Sequence, residues 1–202
     1  MNPVLDRNGQ HDLPPGKIAA LTTHLEMRAP PAPRPVPPRP DLHLDRIERV
    51  DLARYRELFR RVGQEWLWFS RVLVPDERLA EIVHDPRIEL WVLSRSGQDI
   101  GLLELDRREP GDVELSFFGL VADAVGGGAG RLMMDRAIER AFAEPGVRRF
   151  WLHTCTFDHP AALAFYIRSG FTPYARSVEV ADDPRVLGSV PRDVAPWLPI
   201  IG

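Results

Sequence analysis

The chain has 202 residues, 44% of them hydrophobic, and a formal net charge of -3. That suits one well-filled core with an extension, and the charge gives no electrostatic reason to expect nucleic acid or an acidic membrane surface as partner. The single cysteine, Cys155, has no companion for a disulfide or zinc cluster, and the six histidines lack metal-ligand spacing. No run of eighteen apolar residues occurs, and the segment 18–21 is too short for the apolar part of a leader. These observations predict a soluble, cytoplasmic, metal-free protein that meets a small molecule or another protein. Only Lys17 among the 26 basic residues is a lysine, so the body of the chain offers no catalytic lysine.

The first forty residues hold half of the twenty prolines, and 30–40 reads as an extended polyproline-like linker. The expected organisation is an N-terminal extension (1–40), a body (41–182) and a C-terminal coil packed on it (183–202). Within the extension 18–27 has strand character, so the arm could add a strand to the body or to a second subunit, giving a homodimer. From 41 onward, 42–47 alternates as a strand, whereas Leu52, Tyr55, Leu58 and Phe59 share one helix face. A short helix fits 75–84, with Pro75 in its first turn and Asp85-Pro86 ending it. Strands follow at 88–94, 100–106 and 113–121, separated by turn-rich breaks that predict antiparallel hairpins. The apolar spacing of Met134, Ala137, Ile138, Ala141 and Phe142 predicts an amphipathic helix. A strand at 149–156, a helix at 160–168 closed by Gly170 and a strand at 172–180 complete the pattern. A strand, crossover helix and strand imply one parallel pair inside an otherwise antiparallel sheet, an α/β arrangement flanked by helices.

Between the strand 113–121 and its following helix stands Gly126-Gly127-Gly128-Ala129-Gly130-Arg131. Glycines there permit positive φ, letting successive N–H groups and the helix dipole turn toward one anion; a flexible turn is the plain alternative. A dinucleotide-binding fingerprint starting at Gly126 would need a third glycine where Arg131 stands.

Two motifs carry a resemblance. Val125-Gly126-Gly127-Gly128-Ala129-Gly130 is similar to the Gln/Arg-x-x-Gly-x-Gly/Ala signature of the GCN5-related N-acetyltransferase (GNAT) superfamily, with valine replacing the leading residue. His159 to Phe171 resembles that superfamily's Asn-x-x-Ala-x-x-x-Tyr-x-x-x-Gly-Phe, with His159 replacing asparagine. The resemblance covers about 41–180 and implies acetyl-CoA as cofactor. Backbone N–H groups from Gly126 to Arg131, including Gly128, Ala129 and Gly130, would grip the pyrophosphate. Val125, Phe118 and Leu120 would line the cofactor, the strand around Phe118-Gly119-Leu120 pairing with its pantetheine arm. His159 could hydrogen-bond the pantetheine or cap its helix.

The resemblance also implies Tyr166 as the acid that protonates the leaving thiolate and Glu114 as the base for the attacking amine, whose free pKa of about 10.4 leaves it mostly protonated at neutral pH. By strand alternation Glu114 shares a face with Ser116 and Phe118. Packing for Tyr166, and a solvated edge position or an ordered water chain in place of Glu114, remain open. The aromatic stretch 65–71 would wall the acceptor site, with Glu65 as counter-ion, Trp66 and Trp68 as cation–π faces and Arg71 available to a carboxylate; core packing of the tryptophans is the alternative. His153 and Cys155 share a strand face with Trp151, about 7 Å apart, too far for a thiol–imidazole pair.

The expectation is an acyl-CoA-dependent N-acyltransferase moving acetyl to the primary amine of a small molecule by direct attack in a ternary complex. A non-catalytic acyl-CoA-binding sensor stays open because of Val125 and His159. So does a protein N-acetyltransferase, for which the arm would be a docking surface.

Overall fold

The computed structural model describes residues 8–32, 35 and 38–202. Residues 33, 34, 36 and 37 of the expected polyproline-like linker lie outside the described residues. One seven-stranded sheet, ordered β2-β3-β4-β5-β6-β1-β7, is built from β1 (Lys17–Met27), β2 (Leu42–Arg46), β3 (Ile88–Arg95), β4 (Gln98–Asp106), β5 (Asp112–Leu120), β6 (Arg149–Cys155) and β7 (Thr172–Asp182). All neighbours are antiparallel except β5 and β6, as the crossover between them requires.

On one face lie α1 (Leu52–Gly63), α2 (Ser70–Leu73) and α3 (Asp76–Val83). Asp51 starts α1 by accepting the Arg54 N–H, and Tyr55, Leu58, Phe59 and Val62 form its buried stripe. The other face carries α4 (Ala129–Ala141) and α5 (Ala162–Arg168). Met133, Met134, Ala137, Ile138 and Ala141 bury α4, the stripe that the sequence spacing predicts. Buried Glu89 of β3 accepts from Arg107 and from Arg140 of α4, tying helix to sheet. Burial alone would hold that carboxyl protonated, but Arg140 and Arg107 outweigh it and keep its pKa low.

Two features depart from strand counting. The N-terminal strand β1 lies inside the sheet, antiparallel to β6 on one side and to β7 on the other, so the sheet runs across the expected boundary at residue 40. Its inward side chains Leu25 and Met27 are buried. Second, the β4–β5 register slips between Glu104 and Leu105: Glu104 faces Phe117 and Leu105 faces Leu115, leaving Ser116 as a bulge. The bulge shifts the face of the residues beyond it. Glu114 lies with Asp106, Glu104 and Phe117, while Phe118 turns to the face of α4 and α5, not beside Glu114 as alternation alone implied.

The C-terminal segment is organised by Arg185, which is 1% exposed. Its guanidinium pairs with Asp183 and donates to the carbonyls of Val194, Ala195 and Leu198. Ile18 of β1, Leu67 and Ala195 then form a small second cluster. All of the guanidinium's partners lie within 183–198, so the buried charge folds the coil on itself, and the Asp183 N–H to the Gly16 carbonyl and the Trp197 indole to the Glu65 carbonyl join it to the body.

Since Leu25 is 0% exposed and Leu21 of the same strand is 45% exposed, the two test whether β1 is core. Leu25→Ala should cost about 3 kcal/mol in urea unfolding, against less than about 0.5 for Leu21→Ala. Equal small losses would mean that β1 is an appendage.

Candidate active site

The parallel pairing of β5 with β6 is short: Asp112 faces Arg149, Val113 faces Phe150 and Glu114 faces Trp151, and there it stops. Beyond that point β5 continues to Leu120 paired only with β4, and β6 continues to Cys155 paired only with β1. The two facing edges therefore carry unpaired main-chain N–H and C=O groups along an opening wedge.

At the wide end of the wedge β5 runs into the glycine loop. Gly126 has φ of +89° and Gly128 of +85°, conformations that a side chain would strain, and Gly128 is the residue that starts α4. No side chain caps this end, so the first-turn N–H groups of Ala129, Gly130 and Arg131 remain available. A Cβ on Gly126 would meet nothing within 4 Å, and one on Gly127 or Gly128 only the tip of Arg39. Apart from Arg39 nothing covers the loop at these positions, as an anion would need. Val125 is exposed, and the Arg131 side chain is drawn away to the Pro35 carbonyl and Asp135. Arg39 donates to the Gly127 carbonyl, a contact that no motif reveals because Arg39 belongs to the linker.

Glu114 stands where the wedge closes. It lines an open cavity of about 680 Å³ together with Asp106, Arg108, Glu109, Asp112 and Trp151. Burial, reinforced by the charges of Asp106 and Glu104, pushes its carboxyl up to about 7. The Nδ1 of the His153 ring stands 3.9 Å from it. Glu104, two residues from Asp106 on β4, is the contrast. It is fully buried but accepts from Tyr55 Oη at 2.8 Å and is paired with Arg71. Arg71, which the sequence offered to a substrate carboxylate, is therefore taken by the chain's own Glu104, with its guanidinium over Phe117.

Tyr166 is buried where α5 meets the sheet, its ring against Phe118, Phe165 and Phe171. Desolvation, with the charge of Asp158 adding, pushes its phenol above the usual value, so it holds its proton throughout the physiological range. Phe118 stacks on Phe165, and Leu120 lies beside Gly130. His159 Nδ1 accepts the Ala161 N–H, which is the capping arrangement, and its ring meets Trp66 edge-on at 5.0 Å.

The aromatic stretch divides. Trp68 is packed against Phe59 and Phe117 and donates its indole N–H to Asp158, so it builds the wall instead of offering a free cation–π face. Gly119 makes room for it: a Cβ there would come within 2.4 Å of Val62 and 3.0 Å of the indole. Glu65 is exposed at the rim, and its carbonyl accepts from Trp197 of the C-terminal coil. Asp158 was missed by sequence reasoning. It accepts from Thr154 Oγ1, the Cys155 N–H and Trp68, locking the turn after β6 to the first helical layer. Its only sequence signal is an acidic residue in the turn before His159-Pro160. Burial pushes the Cys155 thiol up to about 11, which leaves it a thiol and not a nucleophile at neutral pH.

Among the described residues no group of three or more His, Cys, Asp or Glu is placed to hold a metal, and no helix is long and apolar enough to cross a membrane.

A mixed sheet whose single parallel pair parts beside a glycine-opened helix is the architecture of an acyl-CoA-type transferase fold. The chain belongs to the acetyltransferase (GNAT) family, whose profile matches residues 53–171, more than half of its length. Among solved structures it is similar to a functionally unknown conserved protein from Staphylococcus epidermidis, with 13% identity and a TM-score of 0.60 over 83% of this chain and 64% of that one. It is also similar to a GCN5-related N-acetyltransferase from Kribbella flavida, with 17% identity and a TM-score of 0.54 over 84% and 60%. A third likeness is to spermidine N-acetyltransferase from Vibrio cholerae in complex with CoA and spermine, with 23% identity and a TM-score of 0.54 over 67% and 83%. The chain thus spans less than two thirds of the first two structures. No curated protein matches the sequence significantly.

The raised Glu114 carboxyl has a stability consequence of definite sign. The folded state holds this proton up to about pH 7, whereas the unfolded chain releases it near the ordinary 4.5. Stability should therefore fall as pH rises from about 4.5 to about 7 and level off above, and Glu114→Gln should remove that slope. Urea midpoints of the two proteins across this window check it; parallel curves would show an unshifted carboxylate.

Proposed function

We propose that the protein is an acyl-CoA-dependent N-acyltransferase that moves acetyl from acetyl-CoA to the primary amine of a small molecule by direct attack in a ternary complex. The observation that carries this reading is Glu114, a carboxylate poised to titrate near 7, standing where β5 and β6 part and open toward the glycine cradle.

The residues fit the cofactor. The N–H groups from Gly126 to Arg131 would hold its pyrophosphate, with Gly128, Ala129 and Gly130 giving closest approach, and the free edge of β5 from Phe118 to Leu120 would pair with its amide-bearing arm. Val125 and His159 flank this path. When bound, acetyl-CoA supplies an activated acyl group as a thioester. Glu114 takes the proton that makes the amine nucleophilic, and a base with pKa near 7 is ionised often enough at neutral pH while still strong enough to accept it. Tyr166, fully protonated, is the group that gives a proton to the leaving sulfur.

On the acceptor side the cavity carries Asp106, Glu109, Asp112 and Glu114 against Arg108. Arg108 is itself bound to Asp106 and Arg149 to Asp112, which leaves Glu109 and Glu114, so the net field favours a cationic amine. Trp66 and Glu65 do not line this cavity and lie instead against His159 and Trp197. The spermidine acetyltransferase likeness agrees with an amine of this kind. The amine most suited to the cavity is a small, positively charged one.

With acetyl-CoA and a panel of small amines, thiol release should rise with pH through an apparent pKa near 7. Glu114→Gln should lower kcat by about 100-fold or more and abolish that rise. Tyr166→Phe should slow thiol release while leaving acetyl-CoA affinity intact. Release unchanged in both variants would remove these residues from the mechanism, whereas a wild type that binds acetyl-CoA but releases no thiol with any amine would favour a binding module without turnover.

A further inference from the structure

Two described residues between β1 and β2, Pro35 and Arg39, meet the glycine loop and the helix that follows it. Arg39 donates through Nη1 to the Gly127 carbonyl, and Arg131, in the first turn of α4, donates through Nη2 to the Pro35 carbonyl at 3.0 Å. Arg39 is not a loose side chain. Its other two nitrogens form a two-pronged pair with Asp41, at 2.9 and 2.8 Å, which aims the remaining nitrogen at the loop. That pairing holds the Asp41 carboxyl down at about 2, so the fork is complete at any physiological pH.

The consequence follows from peptide geometry. No described peptide bond is cis, so the Gly127 carbonyl and the Gly128 N–H lie in one plane and point in opposite directions. A donor that pins the carbonyl outward therefore fixes the N–H inward. Both Gly126 and Gly128 sit at positive φ, where glycine has wide freedom, and nothing else lies within 4 Å of where side chains at Gly127 and Gly128 would stand. Without Arg39, this peptide could rotate and the loop would have to order itself for each anion it binds, at an entropic cost.

We propose that Arg39 is a positioning residue for cofactor binding: it braces the Gly127–Gly128 peptide from behind so that the loop presents its N–H groups preset for a pyrophosphate. This rests on the acyl-CoA reading given above. Because Asp41 balances its charge, Arg39 acts through the orientation of the loop and not by attracting the anion. β2 is paired to β3 and the Leu42 N–H donates to the Arg39 carbonyl at 3.0 Å, so the backbone of Arg39 is anchored beside the sheet.

The test uses the full chain and CoA itself. Arg39→Ala should weaken CoA binding in calorimetry by about tenfold, with Arg39→Lys in between because an ammonium cannot fork onto Asp41 and also reach Gly127. In the cofactor-free protein the amide order parameters of Gly127 and Gly128 from NMR relaxation should fall in Arg39→Ala, while those of β1 and α5 stay as in the wild type. CoA affinity and these order parameters unchanged in the variant, beside a wild type that binds, would overturn the brace alone. Lower order parameters throughout the sheet would also overturn it, since Arg39 would then be merely structural. A wild type that does not bind CoA would overturn the cofactor reading and the role assigned to Arg39 together.

Discussion

Strands β5 and β6 share three residue pairs and then separate, which leaves two rows of main-chain donors and acceptors facing a gap. Such edges are costly unless water or a ligand fills them, and the sheet would close on itself if neighbouring strands did not hold the two apart. Each strand is held from its far side. β4 takes the outer edge of β5, the Ser116 bulge turns that strand, and Trp68 packs over Gly119. β1 takes the outer edge of β6 and is itself locked by β7. The N-terminal strand therefore holds the far side of β6, and Arg39, further along the chain, reaches the loop at the gap's wide end.

The carboxylates of the first face differ in how far they are compensated. Glu104, Asp106 and Glu114 share that face but are not equally partnered. Glu104 is satisfied by Tyr55 and Arg71, and Asp106 by Arg108. Glu114 has burial and two like charges nearby but no close hydrogen-bond donor, with His153 standing off at 3.9 Å. A carboxylate that is desolvated and left uncompensated is destabilising, which is the usual mark of a group kept for chemistry.

Much of this was legible in the residues. Hydrophobic periodicity located most strands and helices to within a few residues, because most bury one regular face, and the glycine loop with the Tyr166-to-Phe171 segment led to the GNAT family to which the chain belongs. What periodicity could not supply was anything set by distant partners. The Ser116 bulge depends on the β4 register, and it moves Phe118 to the opposite face from Glu114. Gly119 looked like a strand residue lying against a ligand, whereas its missing side chain admits Trp68. The placement of β1 between β6 and β7 is a pairing across more than a hundred residues. Arg39 and Asp158 stand in a proline-rich linker and a turn, where no pattern marks a residue that acts on a remote loop.

The central claim is that the loop after β5 holds the pyrophosphate of an acyl-CoA beside the parted strands. Calorimetric titration with acetyl-CoA of the wild type and a Gly128→Asp variant tests it most directly, with thermal melting as the check that both are folded. Binding by the wild type that disappears in a folded variant is the predicted result, since the new carboxylate would strain the +85° backbone and repel the anion. Equal binding by both, or none by either, would contradict it.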